Sequence, residues 1–270
     1  MDRNEMLKLC KSMRYDIVSM VGKAGSGHPG GSLSCVEILA ALYGEIMHHN
    51  PKNPQDPDRD RLVLSKGHAA PALYAVLGEL GYFSKDEFNN FRQLHSFLQG
   101  HPDRNKCPGV DACTGSLGQG ISIAAGMALA AKHDGKSTRV YTIIGDGESQ
   151  EGQVWEASMA AAHYKLDNLT VIADHNGLQI DGSNDQVMSL GDYGAKFRAF
   201  GYDVIEVADG NDLDQILAAL RTAPVAGKPR LILCNTVKGK NVSFMENQVG
   251  WHGKAPSGDL LAQALKELEA

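Results

Sequence analysis

Two short polar segments, Gly145-Asp146-Gly147 and Asp174-His175-Asn176, carry residue types suited to metal and phosphate chemistry. Asp146 offers a carboxylate and Asn176 an amide oxygen, and both are hard donors for a small cation such as Mg²⁺. Such a cation takes part of its octahedral coordination from phosphates. Glycines let the backbone approach a ligand closely, and a helix that begins beside them presents free N–H groups to an anion. The two segments together predict a site for a phosphate group and a divalent metal.

A lone Gly-Asp-Gly also fits an acidic loop that caps a helix, without any ligand. The surrounding elements favour the ligand site. Val140–Ile144 and Leu169–Ala173 are short, apolar and rich in β-branched residues, as buried parallel strands are. The Ala-rich stretch 152–164 between them has the apolar spacing of a helix. A strand–helix–strand unit brings both polar segments to the carboxyl edge of a parallel sheet, where open α/β sheets bind ligands.

The rest of the chain predicts an α/β fold, a doubly wound parallel sheet with helices on both faces, in one domain over residues 1–270. Further strands are predicted at 61–65, 202–207 and 230–235. Helices are predicted at 5–24, 33–47, 69–80, 121–132 and 211–221. One more helix is predicted to begin after Ser84, which would form a capping box with Glu87.

Composition and charge exclude several classes of function. The chain is 43% hydrophobic and 21% charged with a net charge of −6, which is typical of an ordinary globular protein and not of a nucleic-acid-binding protein. Neither a signal peptide nor a membrane-spanning apolar run is present in the sequence. The five cysteines lack metal-site spacing and predict reduced thiols. We therefore expect a cytoplasmic protein without nucleic-acid or membrane partners.

Four histidines stand beside glycine: His28 in SGHPGG, His68 in KGHAA, His101 in QGHPD and His252 in GWHGK. Any one of them also fits a loop histidine with no special role. Four of them at the ends of strands or beside helix starts are together harder to explain in that way. With an unperturbed pKa of about 6.5, such imidazoles can bind hydroxyls and move protons at neutral pH.

Taken together, the motifs resemble those of the transketolase family. Gly-Asp-Gly, then 28 residues (148–175), then Asn176 is similar to the thiamine diphosphate motif of that family, although His175 stands where Asn or Asp is usual. Further family segments are matched, in order, by SGHPGG, SKGHAAPALY, GHPD, TGSLGQG and KGKNVSFMENQVGWHG. Ser116 stands where the family often has Pro. The resemblance runs from about residue 10 to 256 and implies the thiamine diphosphate-binding fold.

The resemblance also implies a role for each matched residue. A metal ion, Mg²⁺ or in its place Ca²⁺ or Mn²⁺, would be held by Asp146, Asn176 and the main-chain carbonyl of Leu178. Cofactor contacts would come from His68, Gly115, Ser116, Leu117, Gly147, Glu148, Asn176, Lys238 and His252. The catalytic set would be His28, His68, His101, His252 and Glu151, of which Glu151 would link the two active sites of a dimer.

The reaction implied by the resemblance is the transfer of a two-carbon glycolaldehyde unit from a ketose phosphate to an aldose phosphate. In the family, the carboxylate that activates the aminopyrimidine ring lies in a pyrimidine-binding domain, for which the sequence has no room after His252. We therefore expect a carboxy-terminal partner subunit in an α2β2 assembly, with an apolar docking face near helices 121–132 and 153–162. Three alternatives stay open: a specialised donor (apulose phosphate or a sulfonated ketose), a non-catalytic thiamine diphosphate-binding module, and a metal-dependent phosphate-ester enzyme using Asp146.

Overall fold

The computed structural model describes residues 1–269 and contains a central parallel sheet. The strands are β1 (Arg61–Leu64), β2 (Val140–Gly145), β3 (Leu169–His175), β4 (Leu178–Gln179), β5 (Gly182–Ser183), β6 (Asp203–Val207) and β7 (Arg230–Asn235). Five of them form the sheet in the order β1-β2-β3-β7-β6, and β4 and β5 form a small antiparallel hairpin. All the pairings in the larger sheet are parallel, which confirms the predicted fold class.

Helices cover both faces of the sheet. They are α1 (Arg3–Ala24), α2 (Pro29–Leu33), α3 (Val36–Ala41), α4 (Ala70–Glu79), α5 (Gln119–His133), α6 (Gly152–His163), α7 (Asn184–Val187), α8 (Tyr193–Ala199), α9 (Leu213–Arg221) and α10 (Gly258–Glu269). Within residues 1–269, no helix is long and apolar enough to cross a membrane.

The side chains of β2 alternate between two hydrophobic cores. Tyr141 and Ile143 pack in the core that contains α1, α3, α4 and α9. Val140 and Ile144 pack in the core that contains α5, α6 and α8. Because successive residues of a strand point to opposite faces, a strand buried on both faces has to be apolar throughout. The apolar runs from which the strands were predicted follow from this burial.

Two predicted helices differ from the structure. The helix predicted at 33–47 is instead α3 followed by a π-helical turn at Leu42–Ile46, and α2 already ends at Leu33. The break falls at Ser34, whose hydroxyl donates to the Gly31 carbonyl oxygen and to Asp174, and such side-chain bonds compete with a regular helix.

The helix predicted after Ser84 is only a tight turn at Lys85–Asn90. Ser84 caps it by accepting from the Asp86 backbone N–H at 3.2 Å. The Glu87 carboxylate accepts from the Asn90 side chain at 3.0 Å. In a capping box, the Glu87 carboxylate would accept from the Ser84 backbone N–H. It accepts from Asn90 instead, so the predicted capping box is wrong.

Candidate active site

A cavity of about 380 Å³ opens at the carboxyl edge of the sheet. Its walls come from segments that follow β1, β2, β3 and β7, as the strand–helix–strand argument predicts. The predicted site residues that line it are His28, His68, Gly115, Leu117, Asp146, Gly147, Glu148, Glu151, Asn176, Leu178, Lys238 and His252. Most of the residues chosen from the sequence are therefore brought together in one place.

Two predicted residues, Ser116 and His101, are not among the residues that line this cavity. Ser116 is exposed. The exposed His101 ring lies beside Gly115, where an added Cβ atom would lie 3.2 Å from His101 Cγ. His101 thus lies next to the cavity, against a residue that lines it.

Asp146 comes directly after β2 and is 2% exposed. Its carboxylate accepts hydrogen bonds from the backbone N–H groups of Gly147, at 2.8 Å, and Gly177, at 2.5 Å. Burial, and then the nearby Asp174 carboxylate, raise the pKa of Asp146. A divalent cation in the cavity would offset the cost of keeping this carboxylate ionised.

Asn176 and Leu178 add oxygen atoms of two other kinds. The Asn176 amide nitrogen donates to Asp174 at 3.2 Å, and its oxygen accepts from the Leu178 backbone N–H at 3.2 Å. The Leu178 carbonyl oxygen accepts from Lys238 Nζ at 3.1 Å. Within residues 1–269, no three His, Cys, Asp or Glu side chains form a metal-binding group, so a metal here depends on these amide and carbonyl oxygens. Hard oxygen donors of this kind fit Mg²⁺.

A buried ion pair that the sequence reasoning missed lies at the floor of the cavity. Lys66 Nζ donates to Asp174 at 2.5 Å and to the Gly31 carbonyl oxygen at 2.6 Å. Asp174 also accepts from the hydroxyls of Ser34, at 2.6 Å, and Thr236. Burial works to raise the pKa of Asp174, but the Lys66 ammonium holds it below its usual value. The sequence pointed to these two residues only through their neighbours. Lys66 comes just before Gly67-His68, and Asp174 comes just before His175-Asn176.

Three imidazoles meet on one wall of the cavity. The ring centroids of His28, His68 and His252 lie 5.0 to 5.5 Å apart. Burial lowers the pKa of His28 to about 4 and that of His252 to about 3, and it lowers the pKa of His68 well below its usual value. Nearby cations, Lys238 among them, lower these pKa values further. The expected pKa of about 6.5 is therefore wrong for these residues, which are neutral imidazoles at neutral pH.

The charge of this wall comes from Lys238, which is 2% exposed. Its Nζ lies 2.9 Å from His252 Nδ1. Burial lowers the pKa of Lys238 to about 8, so the ammonium form still predominates at pH 7. His28 Nδ1 is buried and has no hydrogen-bond partner within residues 1–269. A cation, an unsatisfied imidazole nitrogen and three oxygen ligands in one cavity fit a diphosphate with its metal.

The β4–β5 hairpin forms the outer wall and was not predicted. Gln179 and Asp181, both from this hairpin, line the cavity, and so does Gln150 from the turn after β2. Gln150 Nε2 donates to Gln179 Oε1 at 2.6 Å, which joins the turn to the hairpin. The exposed Glu151 stands at the cavity rim, at the start of α6. No motif pointed to the two glutamines, because their role depends on where the hairpin packs.

Fold and site together define an α/β domain built to bind a diphosphate cofactor, and comparison with known proteins agrees. Residues 5–268 match the family model described as "Transketolase, thiamine diphosphate binding domain". The chain belongs to the transketolase family, as its thiamine diphosphate-binding domain.

Similar proteins include subunits and longer chains. The chain is 47% identical to the 6-deoxy-6-sulfo-D-fructose transketolase subunit SqwG of Clostridium sp. (strain MSTE9), over 92% of this chain and 90% of the relative. It is 40% identical to an apulose-4-phosphate transketolase subunit from Actinobacillus succinogenes, over 98% and 96%. The solved transketolase of Campylobacter jejuni superposes with a TM-score of 0.93 at 35% identity. That match covers 100% of this chain and 43% of the longer one, so the chain spans less than half of this solved transketolase.

Proposed function

We propose that this chain is the cofactor-binding subunit of a two-chain transketolase that transfers a glycolaldehyde unit from a ketose to an aldose. The observation that supports this proposal most strongly is the cavity at the carboxyl edge of the sheet. There the oxygens of Asp146, Asn176 and Leu178 share one space with Lys238 and a wall of neutral imidazoles. Membership of the transketolase family supports the same interpretation.

Within this proposal, the three oxygen ligands hold Mg²⁺. The backbone of Gly115, Leu117 and Gly147 would receive the diphosphate, and the Lys238 ammonium would neutralise part of its charge. His68 and His252 donate hydrogen bonds to it from their neutral rings. Thiamine diphosphate, when bound, supplies the carbon nucleophile that attacks the ketose carbonyl.

The remaining imidazole chemistry is assigned to His28. Its buried Nδ1 has no partner within residues 1–269, so it is available to a substrate hydroxyl. With a pKa of about 4, His28 is a neutral imidazole at pH 7. One of its ring nitrogens can donate a hydrogen bond and the other can accept one. His101, which lies next to Gly115, is proposed to hydrogen-bond the donor's hydroxyls together with His28. Glu151, exposed at the rim, is the residue proposed to reach across to a second active site.

We propose that the partner is a carboxy-terminal chain with the pyrimidine-binding domain, in an α2β2 assembly. Two relatives named as transketolase subunits are close to this chain in length, which supports a separate partner. Exposed apolar side chains on α5, and on or next to α6, support the expected docking face: Ile123, Leu129, Met159 and Tyr164.

A second part of the proposal concerns which ketose is the donor substrate. Similarity to subunits named for a sulfonated fructose and for apulose 4-phosphate favours a specialised ketose over the general pentose phosphates. A donor screen with the assembled enzyme tests this directly. The screen compares xylulose 5-phosphate, apulose 4-phosphate and 6-deoxy-6-sulfofructose at equal concentration, with turnover as the readout.

The central experiment is a coupled transketolase assay on the purified chain, alone and mixed with the pyrimidine-domain subunit. We expect no turnover by the chain alone, turnover by the mixture, and none when the mixture contains Asp146→Ala. Turnover by the chain alone, free of host transketolase, would refute the need for a partner. Titration of the chain with thiamine diphosphate and Mg²⁺ separates the alternatives. Binding without turnover in the mixture indicates a non-catalytic module, and no binding would favour a phosphate-ester enzyme.

A further inference from the structure

Glu148 lies in the turn after β2, and its side chain joins three distant segments. It is 3% exposed. Its Oε1 accepts from the Ser65 hydroxyl at 2.5 Å and from the Gly118 backbone N–H at 2.8 Å. Its Oε2 accepts from the Gly145 backbone N–H at 3.0 Å. One carboxylate therefore connects the end of β1, the start of α5 and the end of β2.

The predicted role of Glu148 is a direct cofactor contact. Both of its oxygens also accept from donors of the protein itself. Within residues 1–269, no lysine, arginine or histidine forms a salt bridge with Glu148. A buried carboxylate is costly, and these three donors, with the nearby Lys66 ammonium, offset that cost.

The bond to Gly118 is the one that reaches the site. Gly115 and Leu117 line the cavity, and Gly118 follows them with a left-handed φ of 78°. Within residues 1–269, no other hydrogen bond joins residues 115–118 to a different segment of the chain. The fit around it is tight, because a Cβ atom on Gly120 would lie 2.5 Å from Ser65 Cα. Of the hydrogen bonds in residues 1–269, the one from Gly118 to Glu148 is thus what ties this loop to another segment.

We propose that Glu148 is a positioning residue, which holds residues 115–118 in the conformation that receives the diphosphate. It does so by accepting from Gly118 N–H while it is anchored to Ser65 and Gly145. Because the same carboxylate lies at the amino-terminal end of α5, it also satisfies a free N–H of that helix. The inference rests on the proposed placement of the diphosphate against this loop.

Two substitutions of similar length separate positioning from packing. Glu148→Met keeps the length and removes the acceptor, and Glu148→Gln keeps one acceptor oxygen without the charge. Ser149→Ala is the matched control. Ser149 is a buried neighbour in the same turn, and its hydroxyl bonds the Gly145 carbonyl oxygen at 2.8 Å and the Tyr193 hydroxyl, which both lie outside the loop.

The measurements are amide hydrogen exchange at Gly118 without cofactor, calorimetric affinity for thiamine diphosphate with Mg²⁺, and the unfolding temperature. Glu148→Met should speed exchange at Gly118 and lower affinity about 10- to 100-fold, the usual effect of losing a group that orients a binding site. Glu148→Gln should lower affinity about 3- to 10-fold, because a neutral acceptor binds N–H more weakly than a carboxylate. Ser149→Ala should lower the unfolding temperature and leave both the exchange at Gly118 and the cofactor affinity unchanged.

Wild-type exchange and affinity in a folded Glu148→Met would overturn the proposal. If Glu148→Met does not fold, wild-type values in Glu148→Gln overturn it equally. The exchange measurement needs no cofactor. A wild-type chain that does not bind thiamine diphosphate would therefore count against the proposed function, while exchange at Gly118 still decides whether Glu148 holds the loop.

Discussion

Replacing Lys66 by methionine tests the ion pair beneath the cavity. Lys66 is 1% exposed and donates to Asp174 at 2.5 Å and to Gly31 at 2.6 Å. Its removal leaves a fully buried carboxylate without a cation, which costs about 3–5 kcal/mol. Other donors to Asp174 remain, from Ser34, Thr236 and Asn176. We therefore expect the lower end, about 3 kcal/mol, or a fall of roughly 5–10 °C in unfolding temperature.

The assay is thermal and denaturant unfolding without cofactor, with Lys136→Met as the matched control. Lys136 pairs with Asp58 at 2.9 Å on the surface, where the two side chains are 37% and 71% exposed. Such a pair contributes about 0–1 kcal/mol. In the Lys66→Met background, Asp174→Asn should recover part of the loss, because no unpaired charge is then buried. Equal losses in the two single lysine variants would refute the reasoning.

Three further predictions concern the metal, the substrate and pH. Asp146→Ala and Asn176→Ala should each lower affinity for thiamine diphosphate with Mg²⁺ by about tenfold or more in calorimetry; wild-type affinity in both would remove the metal assignment. His28→Ala should lower turnover of the two-chain enzyme by about 10²–10⁴-fold with little change in cofactor affinity; loss of the cofactor would make His28 a diphosphate ligand. Burial, with help from Glu79, raises the pKa of Asp16 to about 7, so its ionised form destabilises the fold above pH 7 and that penalty disappears towards pH 4. Asp16→Asn should therefore raise the unfolding temperature more at pH 8 than at pH 5, and an equal change at both would contradict this.

Much of the fold follows from local sequence pattern. The strands of the main sheet were predicted within a residue or two, because a strand buried on both faces has to be a short apolar run. The helix α10 was missed although its leucines at 260, 261, 265 and 268 have helical spacing. The hairpin β4–β5 was missed because two-residue strands carry no periodicity.

The site divides in the same way. Asp146 and Asn176 were found from the sequence because the carboxyl ends of neighbouring parallel strands meet at one sheet edge. Glu148 was also found, but its partners were not, since Ser65 and Gly118 lie 83 and 30 residues away in the chain. Long-range hydrogen bonds have no local signature.

The sequence by itself determined most of the residues that meet at the cavity, because topology and residue type are enough to bring those residues together. Only the tertiary structure decided their charge states. His28 and His252 are neutral because burial next to Lys238 removes the water that would stabilise imidazolium. Asp174 is ionised although it is fully buried, because Lys66 is buried against it. Solvation and the nearest charge set a pKa, and both depend on segments that are distant in the chain.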